Sequence, residues 1–152
     1  MGRLKTHPSL PAVLIDTPVW RDYFRQEKQI FALVNRLMDT GRICCLDLGV
    51  AELLTTAKTQ KEMDIFKDFT QVFPVLREPS GAWVEAARLS FHLGQKGKTL
   101  SLRDCYVAAM AKANGVCLYT TNPDLIRIHR SIGLQLFSKR MDSSWNPGVK
   151  PG

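Results

Sequence analysis

The residues best suited to chemistry in this chain are three acids set among apolar neighbours: Asp16, Glu52 and Asp104. Asp16 closes the run Val13-Leu14-Ile15 and is followed at once by the helix-starting Thr17-Pro18-Val19-Trp20. An acid in that place sits at the mouth of a buried strand, where open α/β sheets keep their binding sites. Glu52 lies within Gly49-Val50-Ala51-Glu52-Leu53-Leu54, and Asp104 within Leu102-Arg103-Asp104-Cys105-Tyr106-Val107. Ionised groups in such surroundings need a partner. Three carboxylates gathered at one point repel one another unless cations join them. Hard cations such as Mg²⁺ and Mn²⁺ prefer carboxylate and carbonyl oxygens. One or two such ions activate a water and neutralise the charge that develops on phosphate, the two needs of phosphodiester hydrolysis.

Plainer readings stand beside this one. Asp16 can serve only to cap a helix, and Asp104 only to complete a capping box. Asp124 falls in the first turn of a helix, where the dipole favours an acid. Glu52 is harder to explain this way, because Val50, Ala51, Leu53 and Leu54 flank it. The joint arrangement carries more weight than any member.

The elements that must position these acids read as alternating strands and helices. Strand one is Ala12 to Ile15. Pro18, preset for a first helical turn, opens a helix toward Arg25. Lys28 to Thr40 has apolar residues at Ile30, Phe31, Val34, Leu37 and Met38, a helical spacing, and Gly41 ends it. Ile43 to Leu46 is strand two, with Asp47 as N-cap of a helix through Leu54. A helix follows over Lys61 to Phe69, then a short strand over Val72 to Leu76 and a helix from Pro79 to about Gly94. After the basic turn Gln95-Lys96-Gly97-Lys98, Ser101 caps a helix to Asn114 that Gly115 stops. Val116 to Tyr119 is strand four, Asn122-Pro123 starts a helix, and Leu134 to Phe137 is the last strand. This alternation predicts one α/β domain with a mostly parallel sheet. It places the strand ends and helix starts that carry Asp16, Glu52, Asp104, Asn122 and Asp124 along one edge. The domain is assigned to residues 1–140, and the Pro- and Gly-rich residues 141–152 to a loose tail.

Bulk properties agree. The 152 residues, 45% hydrophobic and 23% charged, suffice for one soluble domain with a core. No apolar run nears the roughly 20 residues of a membrane helix. The apolar stretch before Asp16 is too short for a signal peptide and lacks a small-residue cleavage site. Cys44, Cys45, Cys105 and Cys117 show neither zinc spacing nor a disulfide framework, and point to a reducing, cytoplasmic setting. The net charge of +7 favours polyanionic partners.

At the quoted residues the chain resembles PIN-domain proteins, and among them VapC-type ribonuclease toxins of toxin–antitoxin pairs. The matching pieces are Ile15-Asp16-Thr17, Ala51-Glu52-Leu53-Leu54, Ser101-Leu102-Arg103-Asp104 with Val107-Ala108-Ala109, and Leu118-Tyr119-Thr120-Thr121-Asn122-Pro123-Asp124-Leu125. Together they span about Ala12 to Phe137. The resemblance implies an α/β/α domain with a five-stranded parallel sheet and Mg²⁺- or Mn²⁺-dependent endoribonuclease activity with a metal-activated water. It matches Asp16, Glu52 and Asp104 to the family's metal-binding acids. Pro18 stands where the family usually has Ser or Thr. Asn122 takes the fourth acid position, which leaves it to orient water or a weaker second ion, with Asp124 supporting as a second acid. The partners implied are RNA, a cognate antitoxin whose helix enters a groove beside the Lys28–Thr40 and Asp47–Ala57 helices, and a second copy of the chain as a homodimer.

Arg21, Arg25, Lys96, Lys98 and Arg103 are the candidates for RNA phosphate contacts, with Arg127 and Arg130 nearby. Ordinary solvated faces explain each of them equally well. Trp20 and Tyr23 suit helix packing better than base stacking. Two other functions remain open. Asn122 favours a catalytically weakened PIN domain that binds RNA or protein without cutting. A phosphatase using Asp16 as nucleophile needs a second Asp where Pro18 stands.

Overall fold

A computed structural model describes residues 11–138. The tail assigned to residues 141–152 lies outside the described residues. Strand β1 (Val13–Ile15) lies between β2 (Ile43–Cys44) and β3 (Cys117–Tyr119), and both pairings are parallel. Val13 stands opposite Ile43 and Cys117, and Leu14 opposite Cys44 and Leu118.

Alternation along these strands feeds two separate cores. Leu14, Cys44 and Leu118 join one cluster with Leu93, Val107, Met110 and Leu125. Val13, Ile15, Ile43 and Cys117 join the other with Val19, Trp20, Leu37 and Leu53. A sheet covered on both faces needs strands without a polar side, and β1 is buried along its whole length. All four cysteines are free and buried. Burial pushes the Cys44 thiol up to about 12 and those of Cys45 and Cys117 to about 11, so they pack as protonated apolar groups.

Helix α1 (Thr17–Phe24) starts on Asp16 with Pro18 in its first turn. Helix α2 (Lys28–Thr40) buries Leu33, Val34 and Leu37 and stops at Gly41, whose φ of 66° is the left-handed conformation of a C-terminal glycine. Helices α3 (Asp47–Thr56), α4 (Gln60–Lys67) and α5 (Phe69–Val72) follow β2. Helices α6 (Ala82–Gln95) and α7 (Leu102–Ala113) pack against each other, and α8 (Pro123–Ile128) follows β3.

Three expectations are corrected. The five-stranded sheet is a three-stranded one, because both predicted outer strands contribute only a single parallel bridge each, Val75 to Cys45 and Leu136 to Leu118. Val72 belongs to α5, and Pro74 beside Val75 has no N–H to offer a ladder. On the other edge Leu134 still bonds back to the turn, donating to the His129 carbonyl, before Leu136 reaches β3. Second, Asp47 is not an N-cap. Buried, extended Leu46 takes that place, and Asp47 is the first helical residue. Third, the helix expected over Lys61 to Phe69 is divided at Asp68 into α4 and α5.

Candidate active site

Three elements bring the acids together. Asp16 follows β1, and its backbone N–H donates to the Tyr119 carbonyl at 2.9 Å, which ties the strand mouth to β3. Its Oδ1 accepts from the Thr17 N–H at 3.0 Å, so it does cap α1. Glu52 projects from the second turn of α3. Asp104 lies in the first turn of α7, whose N-cap Ser101 accepts from the Asp104 N–H at 3.1 Å. Asp16 is 3% exposed and Asp104 7%, a depth at which a lone carboxylate is strongly disfavoured.

Their partner is Arg103. Its Nη2 donates to Asp16 Oδ1 at 2.7 Å and to Glu52 Oε1 at 2.8 Å. Its Nε donates to Glu52 Oε2 at 3.0 Å, and its Nη1 to Asp104 Oδ1 at 3.0 Å. One guanidinium therefore binds all three carboxylates, forking onto Glu52 in the bidentate manner that suits arginine. Burial alone would raise the Glu52 carboxyl. The hydrogen bonds from Arg103 and Thr17 and the charges of Arg103 and Arg21 outweigh burial and hold it below the usual carboxylate range. Burial alone would likewise lower the Arg103 pKa. Hydrogen bonds and charge from Glu52 and Asp16 prevail and raise it.

The two remaining oxygens are also bonded, and Glu52 Oε1 accepts a second bond. The Thr120 hydroxyl donates to Asp16 Oδ2 at 2.8 Å, and the Thr17 hydroxyl to Glu52 Oε1 at 2.8 Å. Asn122 Nδ2 donates to Asp104 Oδ2 at 2.9 Å, while its Oδ1 accepts from the Asp124 N–H at 3.0 Å as the N-cap of α8. Asn122 thus meets the cluster as a donor, with its carbonyl turned to the helix end.

The predicted residues sort clearly. Asp16, Glu52, Asp104 and Asn122 converge. Asp124 does not join them, because its carboxylate pairs with Arg127 at 2.6 Å on an exposed turn. Arg103, expected to face phosphate, is turned to the acids instead. Arg21 and Arg25 line a groove with Lys58, Phe24, Leu53 and Phe66. Arg25 is largely exposed and lies 3.9 Å from Asp22. Lys98 borders a different space with Asp124 and Arg127, and Lys96 caps the end of α6. Trp20 is buried against Phe69 and Phe73, in keeping with packing. Sequence alone does not single out Thr120. Its signal there is slight: the first residue past a strand that borders the one carrying Asp16.

As an oxygen donor set, three carboxylates suit a hard divalent cation in type and charge. A cation, the guanidinium, already stands among them. Among the described residues no three acid, His or Cys side chains are arranged to hold an ion. The residues fit a metal in chemistry, and Arg103 is the cation that partly neutralises them here.

Strand β1 sets Asp16 at the carboxyl end of the central strand of a parallel sheet, and helices α3 and α7 bring two further acids to the same mouth; this is an α/β domain with a carboxylate-lined site. The PIN domain profile matches residues 13–130, and the chain belongs to that family. It is 29% identical over 133 residues to a VapC ribonuclease of Mycobacterium bovis, covering 84% of this chain and 99% of the relative. It matches the ribonuclease VapC11 of Mycobacterium tuberculosis to the same extent. In fold it is similar to VapBC2 from Rickettsia felis bound to a promoter DNA fragment, with a TM-score of 0.66 and 18% identity over 83% of this chain and 97% of that one. VapBC-1 from nontypeable Haemophilus influenzae gives 0.67 and 15% identity over 84% and 97%.

Proposed function

We propose that this protein is a divalent-metal-dependent endoribonuclease, the toxin of a toxin–antitoxin pair, that hydrolyses RNA phosphodiester bonds. The observation that carries this reading is the convergence of Asp16, Glu52 and Asp104 on one cation at 2.7–3.0 Å. Asp16, Glu52 and Asp104 would hold Mg²⁺ or Mn²⁺. When bound, the ion supplies an activated water and neutralises charge on the phosphate. The chain's own groups do the rest. Thr120 and Thr17 fix the Asp16 and Glu52 carboxylates through their hydroxyls. Asn122 holds Asp104 in orientation through its amide. Arg21 and Arg25 offer charge to the approaching backbone. The ribonuclease names of the mycobacterial relatives support RNA as substrate. The likeness to VapBC assemblies supports an antitoxin as partner. A homodimer is the assembly expected from the resemblance. Among the described residues no helix is long and apolar enough to cross a membrane.

The test compares wild type with Asp104→Asn on RNA in Mg²⁺, Mn²⁺ and EDTA. Wild type should cut with either metal and not in EDTA. The variant should lose more than roughly 100-fold, since even outer-shell partners of a metal site are worth 10–100-fold. Undiminished cleavage by Asp104→Asn removes the reading. The donor amide of Asn122 and the resident guanidinium favour a second reading, a PIN module that binds RNA or protein without cutting. Wild type that binds RNA but leaves it intact with both metals would select it.

A further inference from the structure

The six carboxylate oxygens of Asp16, Glu52 and Asp104 are all hydrogen-bonded, and Arg103 alone occupies four of them. The other two are taken by Thr120 and Asn122. Both oxygens of Glu52 and one each of Asp16 and Asp104 are engaged by Arg103, so a divalent ion that takes these oxygens as ligands displaces the guanidinium. We propose that Arg103 is a built-in gate: its guanidinium holds the acids together in the metal-free protein, and metal enters only as Arg103 swings out. The inference rests on the metal-site reading above.

Two features of Arg103 fit a gate better than a permanent brace. It sits in the first turn of α7, where the helix dipole disfavours a cation, so its bonds to the three acids and a longer one to the Thr17 hydroxyl at 3.3 Å hold it there. Its side chain is 26% exposed, while that of Asp16 is 1% exposed. A long, partly exposed side chain can rotate to solvent without opening the core. The acids are more tightly placed, because the Asp16 backbone is tied to Tyr119 where it follows β1 and the Asp104 N–H is held by the Ser101 cap. Charge supports the exchange. Three carboxylates and one guanidinium sum to −2, so the gated site remains attractive to a divalent cation. The Glu52 pair is bidentate and the site half-buried, so the gate rests closed rather than fluttering.

A gate of this kind reduces metal affinity by the fraction of molecules in which it is open. The experiment measures Mn²⁺ binding by calorimetry and by electron paramagnetic resonance on wild type, Arg103→Met and Arg103→Lys. With the open form about 1–10% populated, Arg103→Met should bind Mn²⁺ about 10- to 100-fold more tightly. Arg103→Lys should fall between. In EDTA, Arg103→Met should melt at a lower temperature than wild type, and Mn²⁺ should restore it. A readout that needs no variant is the Arg103 Nε–H resonance of the wild type. Saturating Mg²⁺ should shift it and speed its exchange with water. Equal or weaker Mn²⁺ binding by Arg103→Met, or an Nε–H signal indifferent to Mg²⁺, overturns the gate while leaving the metal site standing. Failure of every form to bind Mn²⁺ overturns the metal site and the gate together.

Discussion

Asn122 shows how one residue can hold two jobs. Its Oδ1 caps α8 and its Nδ2 binds Asp104 Oδ2 at 2.9 Å. The amide therefore supplies what a fourth acid cannot, a donor to a buried carboxylate. Asn122→Asp keeps the cap, since Asp also caps well. It replaces the donor with a like charge facing Asp104. In EDTA this variant should lose about 1–3 kcal/mol of stability in urea unfolding. Excess Mn²⁺ should recover that loss beyond any gain in wild type, because a cation between two acids relieves their repulsion. Unchanged stability in EDTA would show that the Asn122–Asp104 bond contributes nothing. The same residues mark what was legible from sequence. Asp16, Glu52 and Asp104 stood out because ionised groups are rare in apolar runs. Arg103 stood out only as a phosphate contact and not as the acids' partner, because a long side chain in a first helical turn can point to solvent or back to the cluster with the same local sequence. Thr120 did not, because its role depends on the pairing of β3 with β1 and on nothing in its neighbours.

Elements position the site through their ends. Asp16, Asp104 and Asn122 each take part in starting a helix, so the caps that begin α1, α7 and α8 also aim the acids. These starts were readable from Ser101, Pro18 and Pro123, whose chemistry is local. The sheet edges were less readable. The segments at Val75 and Leu136 carry apolar residues of strand type, yet each closes only one bridge. Pro74 on one side and the turn before Leu134 on the other limit the ladders, and apolar pattern does not record that. Of the caps, Ser101 has the most direct consequence, since α7 carries both Arg103 and Asp104. Ser101→Ala should lower stability by about 1 kcal/mol in urea unfolding. Ser101→Thr should restore most of it. The Ala variant should also lose cleavage out of proportion to its stability, because fraying the first turn moves Asp104. Wild-type stability and rate in Ser101→Ala would separate the cap from the site.

For the molecule as a whole, the charge distribution decides how a polyanion approaches an acidic site. The chain carries +7 overall, yet its candidate centre holds three acids. The groove of Arg21, Arg25 and Lys58 adjoins that centre: Leu53 lines both the groove and the space beside Asp16, and the charge of Arg21 reaches Glu52. Lys98 and Arg127 border a second space, where Asp124 offsets part of their charge. Glu62 lines the first groove and Asp22 lies beside Arg25, yet three basic residues there outnumber the two of the second space, so on the proposed function the first edge is the expected track for an RNA backbone. Binding of a cleavage-silenced Asp104→Asn protein to single-stranded RNA should weaken as salt rises, in proportion to the number of phosphates neutralised. Removing Arg21 and Arg25 together should flatten the log–log slope by roughly 0.7 for each phosphate no longer neutralised. Lys96→Ala with Lys98→Ala should change it less. The reverse ranking, measured by fluorescence anisotropy across a salt series, would move the RNA to the edge between α6 and α8.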